Sequence, residues 1–581
     1  MNRLDRYALF GNVRMIKDFY YVFNKLNIIL FIPNEEEKNI DALDKMGVPV
    51  RGREDLIKYA VDTVVICMKP NKKRDECISD ILCQLNGGQT RIILCEDFFK
   101  LYDNSEIIKN VQKKIYVWGT GSIASLFLSK LTTDLGDYSF IDSFKKGDTF
   151  YGHSVKKPEE INDWMNVFVI IAVSDDRDIE GVLKAHGLKE GKDFIRFEDI
   201  LWNPYEMLKK TFFSSDGYDV ACDTMLNHLE ISVDGRTRIC CLAFLEVNRA
   251  NFLKDDFMDR WIGEKSIIHR ILAVSTQNRT YSFCNKKMCP LFDGRENIGC
   301  DDYRVINSEY HDIEPFPKVL SCGFDSSCNI ACVTCRNKVD FWTGEKRKKA
   351  DEIAEKITNE LLPHIDFLIM SGNGEVFFSP SYRKIWEHEN TNGIKFIRIL
   401  SNGGLFTPDN WALMKDNKKN TKFILTVSID AASKEVYDSI RKFGDFDQLK
   451  KNMIFAGKLR KKGELSYFRI NFVVQRKNMY EMLRFIEFGK HIGADKVFFT
   501  KILNWGTYEV EDFENNISVM EKDGITPIPE LKKILESREM KDEIVDLGTI
   551  RYLHENNKYD YIKNYYMWEL EKDVEGLFQS V

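Results

Sequence analysis

The chain has 581 residues, of which 44% are hydrophobic and 30% charged, and 84 Lys and Arg stand against 90 Asp and Glu for a formal net charge of -6. A chain of this length buries several cores and divides into about three or four domains. The slightly acidic balance gives no basic field to attract a phosphate backbone, no apolar run approaches the roughly 18 residues that span a bilayer, and Asp5 and Arg6 interrupt the start where a signal peptide needs an apolar core. The expected partners therefore include neither nucleic acid nor membrane, and the expected location is cytoplasmic.

The first two hundred or so residues contain an internal repeat, offset by about 108 positions. Each copy opens with a strand ending in glycine (Tyr7 to Gly11, then Ile115 to Gly119) that leads into a helix. A second strand follows (Ile28 to Ile32, then Tyr138 to Asp142), then a short segment, Gly47-Val48-Pro49-Val50 or Gly152-His153-Ser154-Val155. An apolar strand (Thr63 to Cys67, then Val167 to Val173) and a last strand carrying Glu96-Asp97 or Glu198-Asp199 complete the unit. Alternation of this kind predicts two N-terminal Rossmann-like parallel-sheet domains, over residues 1–108 and 109–203. In the second copy Gly119, Gly121 and Ala124 form G-x-G-x-x-A, and Asp142 sits where a ribose-binding acid belongs. Glycines that simply close a strand-to-helix turn explain the same pattern. The first copy has Gly11-Asn12-Val13 and Pro33 instead, so it is degenerate.

Of the 14 cysteines, ten fall between Cys222 and Cys335. Clustered thiols in a reducing compartment point to metal rather than disulfides. The other four, Cys67, Cys77, Cys83 and Cys95, sit singly among apolar residues and read as core. Residues 204–310 form a cysteine-rich region of short strands and turns, with a hairpin at Leu229 to Gly235. Cys222, Cys240, Cys284 and Cys289 supply the four thiols of a closed site, with Cys241 or Cys300 as substitutes.

From Lys318 a strand-helix alternation returns, with strands ending at Leu320, Met370, Leu400, Val427, Val474 and Phe499 and helices such as Arg347 to Leu362 and Met479 to Ile492. Six units over residues 311–510 predict an α/β fold, a partial (β/α)6 barrel whose active groups collect at the carboxyl ends of its strands. A C-terminal helical tail, 511–581, is rich in aromatics: Tyr552, Tyr559, Tyr561, Tyr565, Tyr566 and Trp568. Just after the first barrel strand stand Cys328, Cys332 and Cys335, a C-x3-C-x2-C loop. Three thiolates leave one iron of a four-iron cluster open, whereas structural zinc and closed clusters take four ligands. The alternative is a zinc knuckle completed by a residue such as Cys322. Later strand ends carry Ser371-Gly372-Asn373-Gly374-Glu375, where a carboxylate beside exposed backbone can pair an ammonium, then Ser401-Asn402-Gly403 and Ser428-Ile429-Asp430, side chains suited to hydroxyls and a ribose.

In this order the segment from Lys318 to Trp505 resembles the catalytic domain of the radical S-adenosylmethionine (SAM) superfamily. Gly372, Gly374 and Glu375 match its glycine-glycine-glutamate turn with Asn373 inserted, and Ser428 to Arg441 resembles its fourth-strand motif. Thr334 departs from the aromatic residue the family usually places before the third cysteine. The resemblance implies a SAM-binding [4Fe-4S] cluster on Cys328, Cys332 and Cys335, with reductive cleavage of SAM to a 5'-deoxyadenosyl radical that takes a hydrogen atom from substrate. The region Cys222 to Cys300 resembles the SPASM or twitch auxiliary-cluster domains of the same superfamily, placed here before the barrel, and implies an auxiliary [4Fe-4S] cluster. A zinc ribbon accepts the same ligands. No catalytic residue beyond the cluster ligands is assigned.

Pairing with Rossmann-like units points to a sugar, sugar nucleotide or glycan intermediate as substrate, and the alternative is a peptide maturase. A ferredoxin or flavodoxin is the reductant by analogy. A reading from another class is a Rossmann nucleotide-binding protein with structural zinc.

Overall fold

In the computed structural model, residues 5–550 are described except for 35–40, 86–89, 104–107, 109–110, 121–123, 125–126, 129–130, 132–134, 144–147, 174–175, 219, 221, 223, 241–244, 246–247, 255–256, 262–266, 287–288, 293–314, 337, 505–507, 509 and 525. The aromatic tail beyond residue 550 thus lies outside the described residues. The chain divides into two units: Met1–Met225, Asp256–Phe283 and Glu296–Ile313 form one, and Leu226–Asp255, Cys284–Arg295 and Glu314–Val581 the other.

In the first unit the apolar runs Tyr7–Gly11, Thr63–Cys67 and Val167–Ile171 are buried along their whole length, as strands covered on both faces must be. β1 (Tyr7–Gly11), β2 (Ile28–Pro33), β3 (Thr63–Cys67) and β4 (Arg91–Leu94) form a parallel sheet of order β2-β1-β3-β4. A second sheet contains β5 (Lys114–Trp118), β6 (Tyr138–Ile141), β7 (Thr149–Phe150), β8 (His153–Lys156), β9 (Val167–Ile171) and β10 (Phe194–Arg196), in the order β10-β9-β5-β6-β8-β7. It is parallel apart from the β7-β8 hairpin. The sequence repeat is also a topological one, because β6-β5-β9-β10 has the same arrangement as β2-β1-β3-β4. Even the short segments correspond: Val50 bridges Phe31, and Val155 pairs with Phe140.

Two details differ from the sequence reading. Glu96-Asp97 and Glu198-Asp199 lie not in strands but in the first turns of the helices Cys95–Phe99 and Phe197–Leu201. Asp97 accepts the Leu94 N–H at 3.2 Å and Asp199 the Arg196 N–H at 3.3 Å. A carboxylate reaching back to the residue before a helix satisfies an orphan donor and starts the helix there. Among the isolated cysteines, Cys67, Cys77 and Cys95 are buried, but Cys83 is exposed on the helix Lys72–Leu85. Its apolar neighbours in sequence, Ile81 and Leu82, point to different sides of that helix, Ile81 buried and Leu82 exposed.

The second unit contains β11 (His228–Ser232), β12 (Arg236–Arg238), β13 (Asn248–Asn251), β14 (Val319–Gly323), β15 (Ala331–Cys332), β16 (Phe367–Met370), β17 (Phe396–Ser401), β18 (Lys422–Ser428), β19 (Arg441–Lys442), β20 (Tyr467–Val474), β21 (Lys496–Lys501) and β22 (Val545–Asp546). Ten of these form one sheet, β13-β12-β11-β14-β16-β17-β18-β20-β21-β22. The run from β14 to β21 is parallel and follows chain order, with helices such as Gly344–Lys356, Phe446–Lys461 and Met482–Ile492 between its strands. The helix anticipated from Arg347 to Leu362 begins at Gly344 and passes at Ile357 into a π turn. The hairpin expected at Leu229 to Gly235 is present as β11 and β12, and β11 also pairs in parallel with β14. Among the described residues, no helix is long and apolar enough to cross a membrane.

Candidate functional site

The loop that leaves β14 is fixed before it reaches its first cysteine. Asp325 is fully buried; it accepts from the Ser327 N–H at 2.8 Å, from Arg347 Nη1 at 2.8 Å and from the Ser379 hydroxyl. Arg347 also reaches the Ser327 hydroxyl at 3.1 Å and that of Ser381 at 2.6 Å. A buried carboxylate that is paired and fully hydrogen-bonded holds the backbone in one conformation. Cys328 follows, and its backbone N–H donates to the Asp340 carbonyl at 2.7 Å. Cys332 lies in β15, laddered to Arg441 of β19, and the Cys335 N–H donates to the Cys332 carbonyl at 2.9 Å. Arg336 donates from Nε and Nη2 to Cys335 Sγ, both at 3.4 Å.

The three thiols therefore share one strand-end loop, although among the described residues no three His, Cys, Asp or Glu side chains converge into a metal cage. Their setting fits a group that takes thiolates. Burial pushes the Cys328 thiol up to about 11, with the Glu375 carboxylate adding to the effect, while Arg336 and Arg441 bring positive charge to the loop. A metal group held by these cysteines would take them as thiolates, without their protons.

The glycine turn after β16 packs directly on this loop. Gly374 has φ +73°, and a Cβ there would meet the Asp325 carbonyl oxygen at 2.3 Å and that of Ser327 at 2.7 Å. Asn373, the inserted residue, donates to the Ser326 hydroxyl at 2.6 Å. Tyr382 spans both segments: its hydroxyl accepts the Asp325 N–H at 3.1 Å and lies 2.9 Å from the Asn373 carbonyl.

Glu375 is fully buried, and its oxygens accept from the Ser401 hydroxyl and the Asn402 N–H, both at 2.7 Å. Desolvation outweighs these bonds and raises its carboxyl to about 7. The Asn402 amide reaches Asn329 Oδ1 at 2.8 Å and Cys328 Sγ at 3.8 Å. The structure thus brings Cys328, Gly374, Glu375, Ser401 and Asn402 together.

Ser428 ends β18, opposite Asn471. Asp430, at φ +63°, is committed to its own fold: Oδ2 accepts from Arg441 Nε at 3.0 Å and Nη2 at 2.5 Å, and Oδ1 accepts the Val473 N–H at 2.8 Å. Asp325, Asn329, Arg336, Arg347 and Tyr382 were not singled out from sequence. The polar run Asp325-Ser326-Ser327 before Cys328 was the available signal, but Arg347 and Tyr382, which join Asp325, lie 22 and 57 positions away.

Among the other expected ligands, Cys222 belongs to the first unit and Cys240, Cys284 and Cys289 to the second. Cys240 and Cys289 are buried, and Cys284 and Cys222 are half-buried. Cys241, Cys300 and Gly121 lie outside the described residues. Gly119 has φ +124°, and a Cβ would meet the Ala172 carbonyl oxygen at 2.6 Å, while Gly11 stands likewise against Cys67 at 2.3 Å. Both glycines permit close approach of neighbouring strands. Asp142 accepts the Thr120 N–H at 3.1 Å.

The second unit is thus a parallel α/β domain with a three-cysteine loop and polar strand ends at one edge of its sheet. Residues 326–489 match the Radical SAM superfamily. That family uses a [4Fe-4S] cluster and SAM. The chain is 27% identical over 180 residues to the AdoMet-dependent heme synthase of Methanosarcina barkeri, covering 31% of this chain and 48% of that protein. It is 23% identical over 188 residues to the mycofactocin maturase MftC of Mycobacterium tuberculosis, covering 31% and 43%. The chain spans less than half the length of these curated relatives. Among solved structures it resembles Streptococcus suis SuiB bound to precursor peptide SuiA, with a TM-score of 0.28, 12% identity and coverage of 40% and 48%.

Proposed function

We propose that the protein is a radical SAM enzyme in which Cys328, Cys332 and Cys335 hold a site-open [4Fe-4S] cluster. The observation that carries this is the three-cysteine loop at the carboxyl end of β14, inside the segment that matches the family. The bound cofactors supply the hard chemistry, an electron that cleaves SAM and a 5'-deoxyadenosyl radical that takes a hydrogen atom from substrate. The chain's own groups position them. Glu375 pairs the methionyl ammonium, the exposed backbone around Gly372 and Gly374 receives the amino-acid moiety, and Ser401, Asn402 and Ser428 meet the ribose and adenine. Asp430 acts through Arg441 rather than on the ribose. Six parallel strands in chain order support the partial (β/α)6 barrel, and the repeated β2-β1-β3-β4 arrangement supports a Rossmann-like pair. An auxiliary cluster is proposed for the cysteine-rich region, with Cys240, Cys284 and Cys289 of the second unit among its ligands, and a ferredoxin or flavodoxin for the reductant. Anaerobic reconstitution and reduction with SAM yields 5'-deoxyadenosine, and Cys328→Ala abolishes it. A cluster-replete preparation that releases none overturns the reading.

For the substrate, the relatives favour the peptide maturase over the sugar reading, since one of them is itself a maturase and neither is a carbohydrate enzyme by name. Transfer of deuterium from labelled candidate peptides or sugar nucleotides into 5'-deoxyadenosine decides between them.

A further inference from the structure

One face of the long sheet carries polar groups that the strand-end motifs leave unused. Its register puts Thr426 opposite Arg469, Ser428 opposite Asn471, and Ile424 opposite Tyr467. Alternate residues of a strand share a face, so Ser428, Thr426, Tyr467, Arg469 and Asn471 lie on one side. Val319, Phe367 and Ile424 form an apolar cluster on that side, with Tyr467 packed against it. Thr426 and Arg469 therefore sit one side-chain layer, roughly 7 Å along the strand, below Ser428 and Asn471.

Arg469 is 5% exposed and Thr426 2%. Nε and Nη1 of Arg469, the hydroxyls of Thr426 and Tyr467, and Oδ1 of Asn471 are all buried without a hydrogen-bond partner. The Arg469 guanidinium lies over the Phe498 ring at 4.5 Å, and no carboxylate among the described residues pairs with it. A guanidinium cannot shed its charge, and a cation-π contact offsets only part of the cost of burying it. Arg441 in the same domain shows the ordinary solution, a buried aspartate on its fork.

We propose that Arg469, with the Thr426 hydroxyl, receives an anionic oxygen group of the substrate, a carboxylate, on this face of the sheet, and that Asn471 Oδ1 accepts from an N–H beside that carboxylate. The inference rests on the radical SAM reading of the same domain and deepens it by naming the substrate class, a molecule bearing a carboxylate such as an acidic residue or the C-terminus of a peptide. Charge-assisted hydrogen bonds to Arg469 fix its orientation. The open hydroxyl and amide oxygen beside the guanidinium suit the N–H neighbouring such a carboxylate. A phosphate, as in a sugar nucleotide, satisfies the same cation, so the test separates the two.

Full-length, anaerobically reconstituted protein without reductant is titrated calorimetrically with N-acetylglutamate and, separately, with inorganic phosphate. N-acetylglutamate binds, Arg469→Gln weakens it about tenfold or more, Thr426→Val weakens it less, and Arg469→Lys retains part of it. Should Arg469→Gln fail to fold by circular dichroism, Thr426→Val carries the comparison. Absence of binding, equal binding in the variants, or phosphate binding as tightly as N-acetylglutamate overturns the proposal. Carboxylate binding without 5'-deoxyadenosine formation overturns the enzyme reading and leaves this site standing. Release of 5'-deoxyadenosine without carboxylate binding does the reverse.

Discussion

Arg441 and Asp430 lock two strand ends together: the guanidinium grips Oδ2 through two nitrogens while its own backbone is laddered to Cys332. The pair therefore holds the middle cysteine of the loop in place. Asp430→Ala leaves a buried arginine without its counter-charge, at a cost of about 3–5 kcal/mol. The expected outcome is a lower unfolding midpoint in denaturant together with lower iron content after reconstitution. A variant of wild-type stability that only weakens SAM binding would instead make Asp430 a ribose ligand.

The glycine turn makes a contrast that only one position passes. At Gly374 an added methyl collides with two carbonyl oxygens of the cysteine loop, and the positive φ adds about 1–3 kcal/mol of backbone strain. At Gly372 a Cβ meets nothing within 4 Å. Gly374→Ala should retain little iron and form little 5'-deoxyadenosine, while Gly372→Ala should reconstitute close to normally. Equal iron content in the two variants would show that the turn does not press on the loop.

How much of this was legible in the sequence follows from the range of the interactions. Apolar runs placed β1, β2, β3, β16, β17, β18, β20 and β21 within a residue or two and β14 within three, because burial on both faces leaves its mark locally. The Glu-Asp segments misread as strand show the opposite limit, since Asp97 and Asp199 bond three residues back and that choice is invisible to periodicity. The strand-end motifs were readable as short polar runs after apolar ones. Asp325 was not, because its role comes from Arg347 and Tyr382, which join it only in the folded sheet. Asp430 was read as a ligand by its position, and its pairing with Arg441 becomes visible only in three dimensions.

Glu375 gives the cluster-free protein a pH signature. Its carboxyl is raised from an ordinary 4.5 to about 7 by burial, so the folded state holds the proton more tightly than the unfolded one. Stability contributed by this group is full below about pH 4.5 and falls as pH rises towards 7, by on the order of 3 kcal/mol, and is then level. Urea unfolding of apoprotein between pH 4.5 and 7.5 should show this decline, and Glu375→Gln should flatten it. A decline of equal slope in the variant would assign it to other groups.

Tyr382 is the test of whether the cysteine loop and the glycine turn act as one unit. Its ring is fully buried on the helix Pro380–Trp386, so Tyr382→Phe keeps the packing and removes a single oxygen. That oxygen takes the Asp325 N–H and stands beside the Asn373 carbonyl, and losing it strands a buried donor at a cost of about 1–3 kcal/mol. Global unfolding is expected to shift by no more than this, because the aromatic contact with Phe324 at 5.0 Å survives. Iron retention should fall further than the shift in stability accounts for, since the loss falls on a joint between the segment that carries Cys328 and the turn that carries Glu375. Iron measured per folded chain, after chelator challenge of wild type and variant at matched stability in urea, separates the two effects. Identical iron loss at matched stability would mean that Tyr382 supports the fold without ordering the loop.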